Sequence, residues 1–271
     1  MVRDITLGQY VIAKSPLHRV DPRIKLIGLI FVIAFLFVAD NFVGLGCMAA
    51  LVVLAMCCSG VSVLQYLKSL RAVIVLVLFT SLFNLFYGSG TVLVQWGVMQ
   101  ITDGGIKNAI FVAVRILTMI LASSVLTFTT SPNQLSDGME RLMKPLSYIK
   151  VPVHEIAMMM TIAIRFIPTL LEETNKIMSA QKARGADMES GNLMHRAKAL
   201  VPVLIPLFLS SFRRAFDLAM AMESRCYNGG EGRTKMRVLR INLFDITVLA
   251  VALAFCAATL LLRIFVTTPW W

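Results

Sequence analysis

The chain has 271 residues, of which 58% are hydrophobic and only 15% charged, with a mean hydropathy of +0.77. A soluble domain of this length carries roughly 25% charged residues, so the apolar surplus excludes an ordinary water-soluble domain and calls for lipid as a second solvent. The formal net charge of +11 then reads as a record of membrane sidedness, and no nucleic-acid partner is expected.

The opening residues include Arg3 and Asp4 and lack a leading apolar core, so they do not read as a cleavable signal peptide. Five later stretches approach the roughly 20 apolar residues of a spanning helix: 24–39, 42–58, 72–87, 106–128 and 243–266. Only Asp40 and Asn41 separate the first two, which predicts a tight helical hairpin. Residues 1–25 carry five basic side chains against two acidic ones, and Lys68 and Arg71 lie between the second and third stretches. The turn at Asp40 and the loop 88–105 carry no Lys or Arg. This asymmetry predicts that the N-terminus, loop 59–71 and residues 130–242 face the cytoplasm of a multi-pass cell-membrane protein. The C-terminus then lies outside, where Pro269, Trp270 and Trp271 suit an interfacial aromatic anchor.

Residues 130–242 hold 16 Lys and Arg against 10 Asp and Glu. Charges recur too often for a lipid-spanning run, yet apolar residues recur with helical spacing. A shorter helix is predicted near 132–146, with Asn133 or Ser131 as its cap. From Pro152 to Arg184 a stripe reads Ile156, Met160, Ala163, Ile167, Leu171 and Met178; from Pro202 to Arg225 another reads Leu204, Phe208, Ala215, Leu218 and Met222. A helix over 152–184 would reach about 50 Å against a hydrocarbon core of about 30 Å. Both long helices are therefore expected along the membrane face, the first bent at Pro168. The predicted fold is an all-α integral membrane protein. It has about five spanning helices in 1–129 and 243–271, and a cytoplasmic helical domain, 130–242, inserted before the last span.

The two long helices end alike, in Ala183-Arg184-Gly185 and Ser224-Arg225-Cys226, 41 residues apart. One reading is local: Gly185 closes a helix in the left-handed conformation and Arg complements the negative end of the dipole. The other is functional: a guanidinium fork on a stiff helix suits carboxylates on a partner, and two tips suit two partner sites. Arg115 interrupts the fourth span and is either a substrate-path residue or a structural one bonded to carbonyls. Asn84 reads as a hydrogen-bonding core residue, and Glu172-Glu173 lacks a nearby His for acid–base work. Met158, Met159, Met160 and Met178 suit an adaptable surface for a membrane partner. The cysteines (Cys47, Cys57, Cys58, Cys226, Cys256) form no C-x-x-C pair, and His18, His154 and His195 stand far apart, so no metal site, disulfide framework or cofactor is expected. The chain contains no G-x-x-x-x-G-K-[ST], so ATP hydrolysis would belong to another chain.

These residues resemble the transmembrane T component of energy-coupling factor transporters. The likeness rests on the two Ala-Arg-Gly-type ends, the opening Leu7-Gly8-Gln9-Tyr10 and Ser15-Pro16-Leu17-His18-Arg19-Val20-Asp21-Pro22-Arg23, Arg165-Phe166-Ile167-Pro168, Ala180-Gln181-Lys182, and the closing Tyr227-Asn228-Gly229-Gly230 with Arg233-Thr234. The resemblance implies a non-catalytic importer subunit for a vitamin or other micronutrient. Arg184 and Arg225 would each dock in one of two ATP-binding cassette subunits. The two helices would cross in an X, and a small membrane subunit would capture the substrate. Ser224 and Cys226 depart from the pattern, which leaves open whether Asn228, Gly229 or Gly230 closes the second helix instead. A dedicated cobalt- or nickel-type T component and a self-contained secondary transporter are the alternatives.

Overall fold

The structure is a computed structural model that describes residues 10–13, 15–86, 91–96, 99–186, 192–230 and 241–265. The expected anchor Pro269-Trp270-Trp271, residues Leu7 to Gln9 and Arg233-Thr234 lie outside the described residues. The chain divides into two compact units, 8–138 with 238–271, and 139–237 with 1–7.

The first unit opens with two helices that start by the same device. α1 (Pro16–Arg19) is capped by Ser15, whose Oγ accepts from the His18 amide at 3.4 Å; α2 (Pro22–Val38) is capped by Asp21, whose Oδ1 accepts from the Arg23 amide at 2.9 Å. Each has proline at its first position, where the missing N–H costs nothing. His18 adds a second tie, Nδ1 to Ser15 Oγ at 2.6 Å and Nε2 to the Val11 carbonyl at 2.9 Å. The Ser-Pro and Asp-Pro steps of the opening motif are thus consecutive helix starts.

α3 (Phe42–Ser59) turns at Gly60, with φ 64°, into α4 (Val63–Arg71) and α5 (Ile74–Phe86). β1 (Val92–Trp96) and β2 (Met99–Thr102) form an antiparallel pair with Trp96 opposite Met99, followed by α6 (Asp103–Thr129). α7 (Pro132–Met143) begins with a reciprocal capping box: the Gln134 amide donates to Ser131 Oγ at 3.4 Å and the Ser131 amide to Gln134 Oε1 at 3.2 Å. Ser131, not Asn133, is therefore the cap. α10 (Leu243–Phe265) is the last described helix.

The core of this unit is Val32 and Leu36 of α2, Leu45, Met48, Leu51 and Val52 of α3, Phe111 and Ala122 of α6, and Cys256 of α10. One buried carboxylate ties the starts of α2 and α10 together. Asp245, 2% exposed, accepts from the amides of Asp21 at 3.0 Å and Asn242 at 2.8 Å. Beside it Lys25 Nζ donates to the Thr129 carbonyl at 2.9 Å and Thr130 Oγ1 at 3.2 Å, joining α2 to the end of α6. Arg115 and Asn84 are structural: Arg115 Nη2 donates to the Ala39 carbonyl at 2.6 Å with its guanidinium 4.6 Å over the Phe111 ring, and Asn84 bonds Asn108 at 3.1 Å.

The chain is an all-α membrane protein apart from the short β pair. α3, α6 and α10 match the second, fourth and fifth expected spans. α2 has 17 residues, about 25 Å of helix. The third expected span, 72–87, holds α5, and the residues before it, expected as a loop, form α4, bent by 60° from α5. The charges of Lys68 and Arg71 end an amphipathic α4, and apolar character becomes continuous only from Ile74.

The second unit holds a 3₁₀ turn (Lys144–Ile149), α8 (Val153–Ala183) and α9 (Leu193–Glu223). By length and composition alone α8 and residues Lys198–Glu223 of α9 also suffice to cross a membrane. The expectation that charge density separates them from spanning helices is too strict, because the charges are sparse along part of each helix: between Glu155 and Glu172 only Arg165 is charged, and 199–212 carry no charge. α9 also begins earlier than expected and runs through Pro202 and Pro206.

Candidate coupling site

α8 and α9 pack antiparallel, with Gln181 beside Pro202 and Glu173 beside Ser210 and Arg214. Pro206 has no N–H for the Pro202 carbonyl four residues back, and an orphaned carbonyl is costly away from water. Gln181 Nε2 of α8 donates to that carbonyl at 3.4 Å, so one helix mends the other's ladder. Glu173 forms a clasp: Ser210 Oγ donates to its Oε1, and Arg214 Nη2 donates to its Oε2 at 2.9 Å. Glu173 and Arg214 stand 41 residues apart, the interval that also separates Arg184 from Arg225. The Glu172-Glu173 pair is thus half committed to helix packing.

Both helices end in the same hydrogen-bond pattern. After α8, the Gly185 amide donates to the Lys182 carbonyl at 3.0 Å and the Ala186 amide to the Gln181 carbonyl at 3.0 Å. After α9, the Cys226 amide donates to the Glu223 carbonyl at 2.8 Å and the Tyr227 amide to the Met222 carbonyl at 3.0 Å. Each is a Schellman motif, with Arg184 or Arg225 as the cap and the next residue left-handed. Gly185 has φ 86° and Cys226 has φ 55°. The question left by the departing Cys is answered: Cys226 itself takes the position Gly occupies in the first motif, and Asn228, Gly229 and Gly230 are not needed to close the helix. A left-handed residue with a Cβ costs about 1–2 kcal/mol.

The tips point outward. Ala183, Arg184, Gly185, Ser224, Arg225 and Cys226 are all exposed. Neither arginine forms an ion pair with a described residue, so both guanidinium forks face solvent. They are also far apart: Gln181, three residues before Arg184, touches Pro202, and 23 residues of α9 separate Pro202 from Arg225. That interval is about 35 Å of helix. One pocket cannot take both.

Met159 is 57% exposed, but Met158, Met160 and Met178 are half-buried. On α9 the residues turned inward are Val203, Leu207, Ser210 and Leu218, while Leu204, Phe208, Phe212, Phe216 and Met220 form an exposed ridge, with Phe216 at 68% and Met220 at 69%. Four-residue spacing of Phe208, Phe212 and Phe216 is visible in the sequence, and only the partner face of α9 reveals that this ridge is outward.

The apolar helices of spanning length define a multi-pass membrane protein, and α8 and α9 end in one shared cap geometry at arginines that pair with no described residue. A family model described as cobalt transport protein, CbiQ, matches residues 13–236. The chain is 48% identical over 263 residues to an energy-coupling factor transporter transmembrane protein, EcfT, of Ruminiclostridium cellulolyticum, covering 97% of this chain and 98% of the relative. The protein of the same name from Clostridium kluyveri is 46% identical over 273 residues, covering 100% and 99%, and that of Listeria innocua 43% over 261 residues, covering 96% and 98%. The chain belongs to the family of energy-coupling factor transporter transmembrane proteins.

Proposed function

We propose that this chain is the non-catalytic transmembrane coupling subunit of an energy-coupling factor importer for a vitamin or other micronutrient. It relays motion from two ATP-binding cassette subunits to a small substrate-capturing membrane subunit. The observation that carries this reading is the pair of matching helix ends, each presenting in the same cap geometry an arginine that pairs with no described residue. A guanidinium fork recognises carboxylates bidentately, so Arg184 and Arg225 each insert into an acidic groove of one ATPase subunit. Their separation of about 35 Å along α9 suits two such subunits side by side. The neighbours Ala183, Gly185, Ser224 and Cys226 are small, which lets each arginine approach a groove closely.

The exposed ridge of α9 from Leu204 to Met220, with Met159, is proposed to hold the substrate-capturing subunit. The charge asymmetry supports cytoplasmic placement of the N-terminus and of 130–242 as the coupling domain, between spans in 1–129 and 243–271, with the C-terminus outside the cell. The printed description of the family model favours a second reading, a component dedicated to one cobalt- or nickel-specific subunit. Co-purification separates the two: a shared component brings down varied small membrane proteins, a dedicated one a single type.

The test is charge reversal. Arg184→Glu and Arg225→Glu each remove a paired charge, which costs about 2–5 kcal/mol at an interface. ATPase-subunit binding should fall at least about 30-fold per site while membrane insertion persists. Normal substrate uptake by the double variant would refute the proposal.

A further inference from the structure

The helical bundle contains a cavity of about 410 Å³ bounded by α2, α3, α6 and α10, with Pro16 and Leu17 at one end. Nearly all of its walls are apolar; Lys25, Thr129 and Thr247 are the polar lining residues. The rim residues Leu54, Phe244 and Val251 are exposed, so the cavity opens at the outer surface of the bundle.

Its depth is the same on every wall. It runs from Lys25 to Val32 on α2, from Cys58 back to Leu51 on α3, from Thr129 back to Ala122 on α6, and from Phe244 to Ala252 on α10. Each interval is about 10–12 Å of helix. It therefore starts at the polar ends of these helices and stops near mid-bilayer, within the roughly 15 Å of one hydrocarbon leaflet. Dry apolar walls give water nothing to bond, so water does not fill such a space.

The polar end offers a lipid headgroup one remaining Lys25 donor. Of the three Lys25 donors, Thr129 and Thr130 take two. The carboxylates of Asp21 and Asp245 act on the same ammonium, and Arg23 pairs with Asp21 at 3.3 Å, so that end is close to neutral overall. We infer that the cavity binds one acyl tail of a glycerophospholipid, whose phosphate lies at Lys25.

Gly28 supplies the test. It lines the cavity, and a Cβ built there meets nothing within 4 Å. A side chain at 28 thus starts into open space, and leucine takes up part of the void. The full chain is reconstituted into phosphatidylcholine vesicles doped with a phosphatidylcholine carrying a diazirine near the end of one tail. After irradiation, adducts are mapped by mass spectrometry. Adducts are expected at Leu51, Val52, Val248 and Ala252, surviving a chase with unlabelled lipid that removes those on the outer face of α5 at Val75 and Leu78. Gly28→Leu should lower the cavity adducts about ten-fold, the equivalent of losing roughly two buried methylenes, and leave those on α5 unchanged. Ala252→Phe fills the cavity from another helix and should do the same, which guards against misfolding of the first variant. Cavity adducts indifferent to both variants mean surface lipid only and overturn the inference. Adducts on α5 with none in the cavity mean that a second copy or a partner helix covers it, and overturn it equally.

Discussion

Cys226 holds a left-handed backbone that glycine would hold without strain, and Gly185 does so in the matching motif. Exchanging them should therefore move the stability of the two helix ends in opposite directions. Relief of the Cβ clash in Cys226→Gly contributes about 1–2 kcal/mol. The greater freedom of glycine in the opened chain takes back about 0.4–1 kcal/mol. The net is about 0.5–1 kcal/mol, or about a two- to five-fold slowing of local opening. The assay is amide hydrogen exchange over the last turns of α8 and α9, where the Cys226 and Tyr227 amides bond the Glu223 and Met222 carbonyls. Cys226→Gly should slow exchange at the end of α9 and leave α8 unchanged. Gly185→Cys should speed exchange at the end of α8 by a similar factor. Faster exchange at the α9 end in Cys226→Gly would refute the claim that the two caps are the same structure.

Three further outcomes follow from the packing. Asp245→Ala strands the buried Asp21 amide and loosens the part-buried Asn242 amide, and should cost about 1–3 kcal/mol, with Asp245→Asn, which keeps one accepting oxygen, falling between it and the parent in detergent melting curves. Gly105→Ala drives a Cβ into the Leu85 carbonyl where α6 meets α5, and should cost about 1–3 kcal/mol, whereas Gly28→Ala, facing open space, should be neutral in the same melts. A double-mutant cycle on Glu173 and Arg214 should give a coupling of about 1 kcal/mol or less because Arg214 is exposed; a much larger value would mean the clasp governs how α8 and α9 pack.

The sequence is most legible where one physical signal acts alone. Continuous apolar runs made α3, α6 and α10 readable, and the recurrence of Arg at two helix ends marked both tips. Elsewhere signals mix. The break between α4 and α5 was hidden because Lys68 and Arg71 read as a loop when they belong to a helix of their own. The Val-Leu-Val-Gln-Trp strand sat inside a segment read only for its lack of positive charge. Asp245 is the sole acid in the last apolar stretch, a conspicuous residue, but the partner that gives it its role, the Asp21 amide, lies 224 positions away. The exposed ridge of α9 required knowing which face meets α8, and a helix apolar on two sides does not give that from periodicity alone.

The prolines within α8 and α9 acquire a mechanical meaning from the position of the tips. A rod loaded from its far end buckles where its ladder lacks a rung, and α9 lacks rungs at Pro202 and Pro206. Arg225 stands at one end of that rod, and the side chain of Gln181 splints the weak place three residues from the other tip. A load applied at Arg225 would pass to α8 through the Glu173 clasp and then the Gln181 brace, close to Arg184, so the two ends would share one strut.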